Sequence, residues 1–124
     1  MKKTVYILML LFFTGISLKA QSNIAPLADK AALETAVKNN EKAVVICAAE
    51  WCEYCKAFLP KVEKIISDHE NVKFFRINYD ENVGLFQAEG IEATPTVKLY
   101  KNGLKTNEMV IIETAPLQEK LRDF

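Results

Sequence analysis

Histidine and tryptophan occur once each in this chain of 124 residues, glycine and proline four times each, and cysteine three times. A zinc site needs four ligands, and His69, the only imidazole, stands apart from Cys47, Cys52 and Cys55. The cysteines fall on a core strand and a strand–helix turn, away from the helix end that carries His69. Lys56 follows Cys55, so the CxxCH of haem attachment is missing. No internal repeat, low-complexity tract or glycine-rich linker divides the chain, and its length suits one domain. Sixteen basic and sixteen acidic residues cancel. Lys61, Lys64 and Lys73 are spread out as a solvated surface, which argues against a nucleic-acid partner, because phosphate neutralisation needs clustered cations.

Half of the residues are hydrophobic and 26% are charged, an ordinary globular composition. The first twenty residues stand apart. Lys2 and Lys3 precede an apolar stretch from Val5 to Ile16, broken only by Thr14 and Gly15, and Ser17-Leu18-Lys19-Ala20 follows. This is the layout of a secretory signal peptide with a cut after Ala20. The rival reading is an uncleaved anchor, for which the stretch falls short of the roughly 20 residues of a spanning helix. Removing residues 1–20 removes three lysines and no acids, leaving 13 basic and 16 acidic residues, a net charge of about −3. A short lysine-led signal points to a bacterial periplasm. Outside the cytosol, a retained cysteine pair is either a working redox couple or a structural bridge.

Along the mature chain, residues 21–26 read as a loose leader and residues 27–124 as the domain. Leu27 to Asn40 has helical spacing, with Leu33, Ala36 and Val37 on one face. Ala43 to Ala49 is an unbroken apolar run, the mark of a strand buried on both faces. Cys55 to Asp68 reads as a helix with Leu59, Val62, Ile65 and Ile66 inside and Pro60 within it. Val72 to Asn78 is a second inner strand, and Asn82 to Ala88 a short helix. Thr96 to Tyr100 and Met109 to Ile112 are strands around the turn signal Asn102-Gly103. Thr114 is placed to cap a last helix carrying Pro116, Leu117, Leu121 and Phe124. The order α-β-α-β-α-β-β-α predicts an α/β/α sandwich, with one mixed sheet of four to five strands between helices.

Trp51-Cys52-Glu53-Tyr54-Cys55-Lys56 carries the chemistry. A strand that ends there and opens a helix puts Cys52 at the helix mouth, where unpaired N–H groups and the dipole favour a thiolate. Cys55 falls one turn on, within reach of a Cys52–Cys55 disulfide. Thiolate chemistry then has Cys52, nearer the helix N-terminus and expected to be exposed, attack a substrate disulfide, and Cys55, one turn inside, resolve the mixed disulfide. The bland alternative is a structural bridge, which a loop this short would stabilise little. Cys47 reads as a small buried filler. Trp51 reads equally as a substrate contact or as loop packing, and Tyr54 as a solvent-facing residue that shapes access to Cys52.

Over residues 27–124 the chain resembles the thioredoxin superfamily. The resemblance rests on the strand leading into Ala49-Glu50-Trp51-Cys52, the Cys52-x-x-Cys55-Lys56 helix start, Pro60, and Ala93-Thr94-Pro95-Thr96 ahead of the hairpin. It implies a cis Pro95 facing the cysteines and a Thr94 backbone that pairs with an extended substrate segment. The activity it implies is reduction of disulfide-bonded protein substrates, without a cofactor or bound metal.

Several positions depart from the pattern. Glu53-Tyr54 replaces the usual Gly-Pro, and a carboxylate beside Cys52 opposes its thiolate, a sign that favours a reductant. Ile46 stands where a buried Asp assists proton transfer from the second cysteine, which leaves water or Glu50 as the route. Arg76 occupies the position of that Asp's usual Lys partner, and the glycine of the last strand is absent from Val110-Ile111-Ile112. The reading is an exported reductase of protein disulfides, favoured as a monomer and recharged by a membrane-bound electron donor. The alternatives are a disulfide oxidase or isomerase, and a redox-silent binding or chaperone module on the same fold.

Overall fold

The computed structural model describes residues 22–124. The expected signal segment, residues 1–20 with its cut after Ala20, lies outside them, as does Gln21.

Alternation and apolar runs place five strands in one sheet: β1 Ile24–Leu27, β2 Lys42–Ala48, β3 Lys73–Asn78, β4 Thr96–Lys101 and β5 Leu104–Val110. The order across the sheet is β1-β3-β2-β4-β5, with β1, β3 and β2 parallel and the β4–β5 hairpin antiparallel. Four helices flank it: α1 Lys30–Asn39, α2 Glu53–Ile65, α3 Val83–Ala88 and α4 Ala115–Arg122. The sandwich and the mixed sheet are those expected.

Ile24–Leu27 corrects one expectation. These residues are not a loose leader or the start of a helix but a strand, paired with Phe74 to Ile77. As an edge strand, with a neighbour on one side only, it tolerates Pro26. Helix α1 then starts at Asp29, whose carboxylate accepts the Ala32 N–H at 2.9 Å. Thr114 precedes α4 without a side-chain capping bond, and Pro116 in the first turn needs no donor. The β4–β5 turn uses Asn102 and Gly103 at φ 54° and 82°. Two positive φ values in succession match the right-handed twist of a hairpin, and Asn-Gly adopts them at least cost.

Side chains of β2 alternate between two cores. Val44 and Ile46 face α2 and α4, packing with Phe58, Val62, Leu117 and Leu121. Ala43, Val45 and Cys47 face α1 and α3, with Leu33, Val37, Phe86 and Tyr100. Since β2 is covered on both sides, its end is fixed, and the turn that follows inherits that rigidity. Lys98 is the exception in the second core. It is 2% exposed, and its Nζ lies 3.2 Å from Glu89 and 3.6 Å from Glu108.

Candidate active site

Strand β2 ends at Ala48, and four residues later Cys52 caps α2. The Cys52 N–H donates to the Ala49 carbonyl at 3.2 Å, closing the turn. Cys52 Sγ then accepts the Cys55 N–H at 3.1 Å, so one of the orphan donors at the helix mouth is aimed at the sulfur. A thiolate at this position gains both that donor and the positive end of the dipole. Cys52 and Cys55 are joined as a disulfide with Cα atoms 5.2 Å apart.

The Thr94–Pro95 peptide is cis, and Pro95 is buried. The Thr94 carbonyl oxygen lies 3.5 Å from Cys52 Sγ. This contact covers the sulfur, so Cys52 is not the exposed residue expected. It is 5% exposed against 1% for Cys55, which leaves it the more accessible of the two by a narrow margin. Trp51 and Tyr54 stand out from the surface at 62% and 64% exposure. Trp51 meets Tyr79 edge to face, with centroids 5.9 Å apart, and Tyr79 meets Phe86 in the same way at 5.3 Å. Trp51 is thus held by its neighbour while most of its surface stays open.

Glu53 is exposed and paired with Lys56 at 3.3 Å. Glu50 accepts a 3.4 Å bond from Asn78 Nδ2, and its N–H donates to Asp80 at 3.1 Å. Glu50, Lys56, Arg76 and Asn78 line a cavity of about 290 Å³ that reaches Cys55, while Ile46 is fully buried in the core. On the opposite side, Trp51, Tyr79, Phe86, Ile91, Glu92 and Thr94 border a groove of about 260 Å³.

Cys47 lies off the site, in the second core. Burial pushes its thiol up to about 12, only partly opposed by the Lys98 ammonium. His69 ends the short turn after α2, and among the described residues no cluster of His, Cys, Asp or Glu is arranged to hold a metal. Tyr79, Asp80 and Glu92 border the site but were not anticipated. The available signal was position: Tyr79 and Asp80 follow the carboxyl end of a parallel strand, where α/β sheets gather their sites.

A buried, disulfide-linked cysteine pair at the mouth of a helix, on an α/β sandwich, defines a thiol–disulfide exchange protein. The thioredoxin family profile matches residues 24–123. Thioredoxin from Geodia cydonium is 35% identical over 96 residues, covering 75% of this chain and 91% of its own length. Thioredoxin Asp f 29 from Aspergillus fumigatus is 32% identical over 91 residues, 71% of this chain and 83% of that protein. The oxidised crystal structure of mitochondrial thioredoxin 3 from Saccharomyces cerevisiae superposes with a TM-score of 0.78 at 25% identity, over 84% of this chain and all of the other. The chain belongs to the thioredoxin family. With its Cys52–Cys55 pair it is a thiol–disulfide oxidoreductase, a protein-disulfide reductase.

Proposed function

We propose that this reductase works outside the cytosol, with Cys52 as the attacking sulfur, Cys55 as the resolving one, and the Thr94–Pro95 segment as the ledge on which an extended substrate lies. The observation that carries the assignment is the Cys55 N–H aimed at Cys52 Sγ at 3.1 Å. Among the described residues no hydrogen-bond donor is aimed at Cys55 Sγ, and Cys55 sits a turn deeper in the helix.

In the working direction the Cys52 thiolate attacks one sulfur of the substrate disulfide. That S–S bond breaks, a Cys52–substrate disulfide forms, and the departing thiolate takes up a proton. Cys55 then gives up its proton, and its sulfur attacks Cys52 Sγ. The mixed disulfide breaks, and the second substrate sulfur leaves as a thiol. The substrate has gained two electrons and two protons, and the enzyme is left with the Cys52–Cys55 disulfide, the state seen in this structure. Among the described residues Glu50 is the one carboxylate lining the cavity that reaches Cys55, which supports it as the proton's route in place of the core position filled by Ile46. Trp51 and Thr94 flank the sulfur on the substrate side, with Tyr54 at the entrance. Recharging in an oxidising compartment calls for a membrane-bound electron donor, and nothing in the chemistry needs more than a monomer.

Two measurements test this. Equilibration of Cys52–Cys55 against glutathione is expected to give a reducing couple, near the roughly −270 mV typical of thioredoxins. A value near the roughly −120 mV of strong oxidants would reassign the protein as an oxidase. Cys55→Ser is expected to trap substrates covalently and Cys52→Ser to trap none; the reverse pattern overturns the order of attack.

A further inference from the structure

The groove beside the disulfide holds one charge that no ion pair among the described residues answers. Its walls are Trp51, Tyr79, Phe86 and Ile91, and among the described residues that line it Glu92 is the only ionisable acid or base apart from the phenol of Tyr79. The other acids around the site are engaged. Glu53 pairs with Lys56, Glu89 pairs with Lys98, and Asp80 accepts the Glu50 N–H. Glu92 is exposed and makes no ion pair among the described residues.

Thr94 belongs to the same groove, and its carbonyl lies 3.5 Å from the Cys52 sulfur. A side chain entering the groove therefore comes from a residue adjacent to the attacked cysteine, since an extended chain advances only about 3.3 Å per residue. We infer that Glu92 selects substrates that carry an arginine or lysine beside the cysteine under attack. This rests on the role of Cys52 proposed above.

The fit is chemical as well as electrostatic. The methylene stem of such a residue packs along Ile91 and the aromatic walls, while its head reaches the carboxylate or the open Trp51 ring. Arginine suits the site better than lysine, because its planar guanidinium both stacks on a ring and pairs with a carboxylate in a fork. An acidic residue at the same place meets Glu92 as a like charge.

The test uses symmetric disulfide-linked peptide dimers, so that both cysteines are equivalent, with Arg, Gln or Glu next to the cysteine. The reduced full chain is mixed with each, and closure of Cys52–Cys55 is followed through Trp51, the only tryptophan. The Arg dimer is expected to react about threefold to fivefold faster than the Gln dimer, and the Glu dimer slower than Gln, in keeping with one solvated ion pair. Added salt compresses the spread, and Glu92→Gln brings the three rates together. Equal rates in the unmodified protein, or an order that survives Glu92→Gln, overturn the selection by charge and leave the exchange chemistry standing. No reaction with any dimer, while iodoacetamide still labels Cys52, overturns the substrate reading and this inference together.

Discussion

Lys98 offers a test of how charge is held inside this fold. Its side chain is 2% exposed, whereas those of Glu89 and Glu108 are 34% and 37% exposed. The three groups are therefore not equivalent to remove. Lys98→Met takes away the desolvated ammonium, keeps most of the volume, and leaves two carboxylates that water already reaches. Stability is expected to stay within about 1–2 kcal/mol of the parent, in either direction. Replacing both Glu89 and Glu108 by Met does the opposite, stranding an ammonium where solvent does not come. That loss is expected at about 3–5 kcal/mol, or well over 10 °C in Tm for a domain of this size. The triple Met variant should return close to the parent, because the stranded charge is gone. Urea denaturation of the oxidised protein followed by circular dichroism measures all four. A double variant as stable as the parent, or a Lys98→Met loss exceeding that of the double variant, refutes the reasoning. The consequence reaches the active site, since the Glu89–Lys98 contact ties down the end of α3, from which the chain runs directly to Thr94.

Glu53→Gln removes the carboxylate next to Cys52 and is expected to favour the Cys52 thiolate only slightly, because Glu53 is exposed and already paired with Lys56. Thiolate absorbance against pH measures it, and a less favoured thiolate would reverse the assigned sign. The same carboxylates bear on acid stability. Hydrogen bonding from Lys105, opposed by burial and aided by Lys98, holds Glu108 below its ordinary value of 4.5. Its contribution is present above that value and lost as pH falls through the lower folded one, so a Glu108→Gln variant should show a shallower acid limb in urea titrations. At the alkaline end, burial raises Cys47 from 9.0 and Tyr100 from 10.0, each to about 12. Above pH 9 the unfolded chain loses these protons first, so stability should fall by up to about 1.4 kcal/mol per pH unit for each group until the folded values are passed. Cys47→Ala is expected to delay the onset by removing the first of the two, and an unchanged onset would contradict it.

The parts of this protein that were legible in the sequence are those whose cause is local. An unbroken apolar run from Ala43 to Ala49 has few fates other than a strand covered on both faces, and cysteines spaced to bracket one helical turn announce their own geometry. Asn102-Gly103 likewise names its turn. What escaped depends on partners far along the chain. Ile24–Leu27 is a strand only because β3 offers an open edge some fifty residues later, and nothing in a four-residue segment containing Pro26 announces that edge. Lys98 sits in a strand as an apparent solvent-facing residue, and it is buried because Glu89 and Glu108 arrive from α3 and β5 to meet it. Thr94 was accessible only through the family motif, and its contact with Cys52 costs that cysteine the exposure a simple helix mouth would give it.

The same division separates chemistry from selection in this enzyme. The reacting sulfurs are poised by one turn of backbone, through a donor three residues from its acceptor. The groove beside them is assembled from Trp51 on one turn, Tyr79 on a second and Glu92 on a third. The side chains of Tyr79 and Glu92 can change while the Cys55 N–H stays on the Cys52 sulfur. The selection inferred for Glu92 therefore rests on a residue that a motif built around cysteine and proline does not contain.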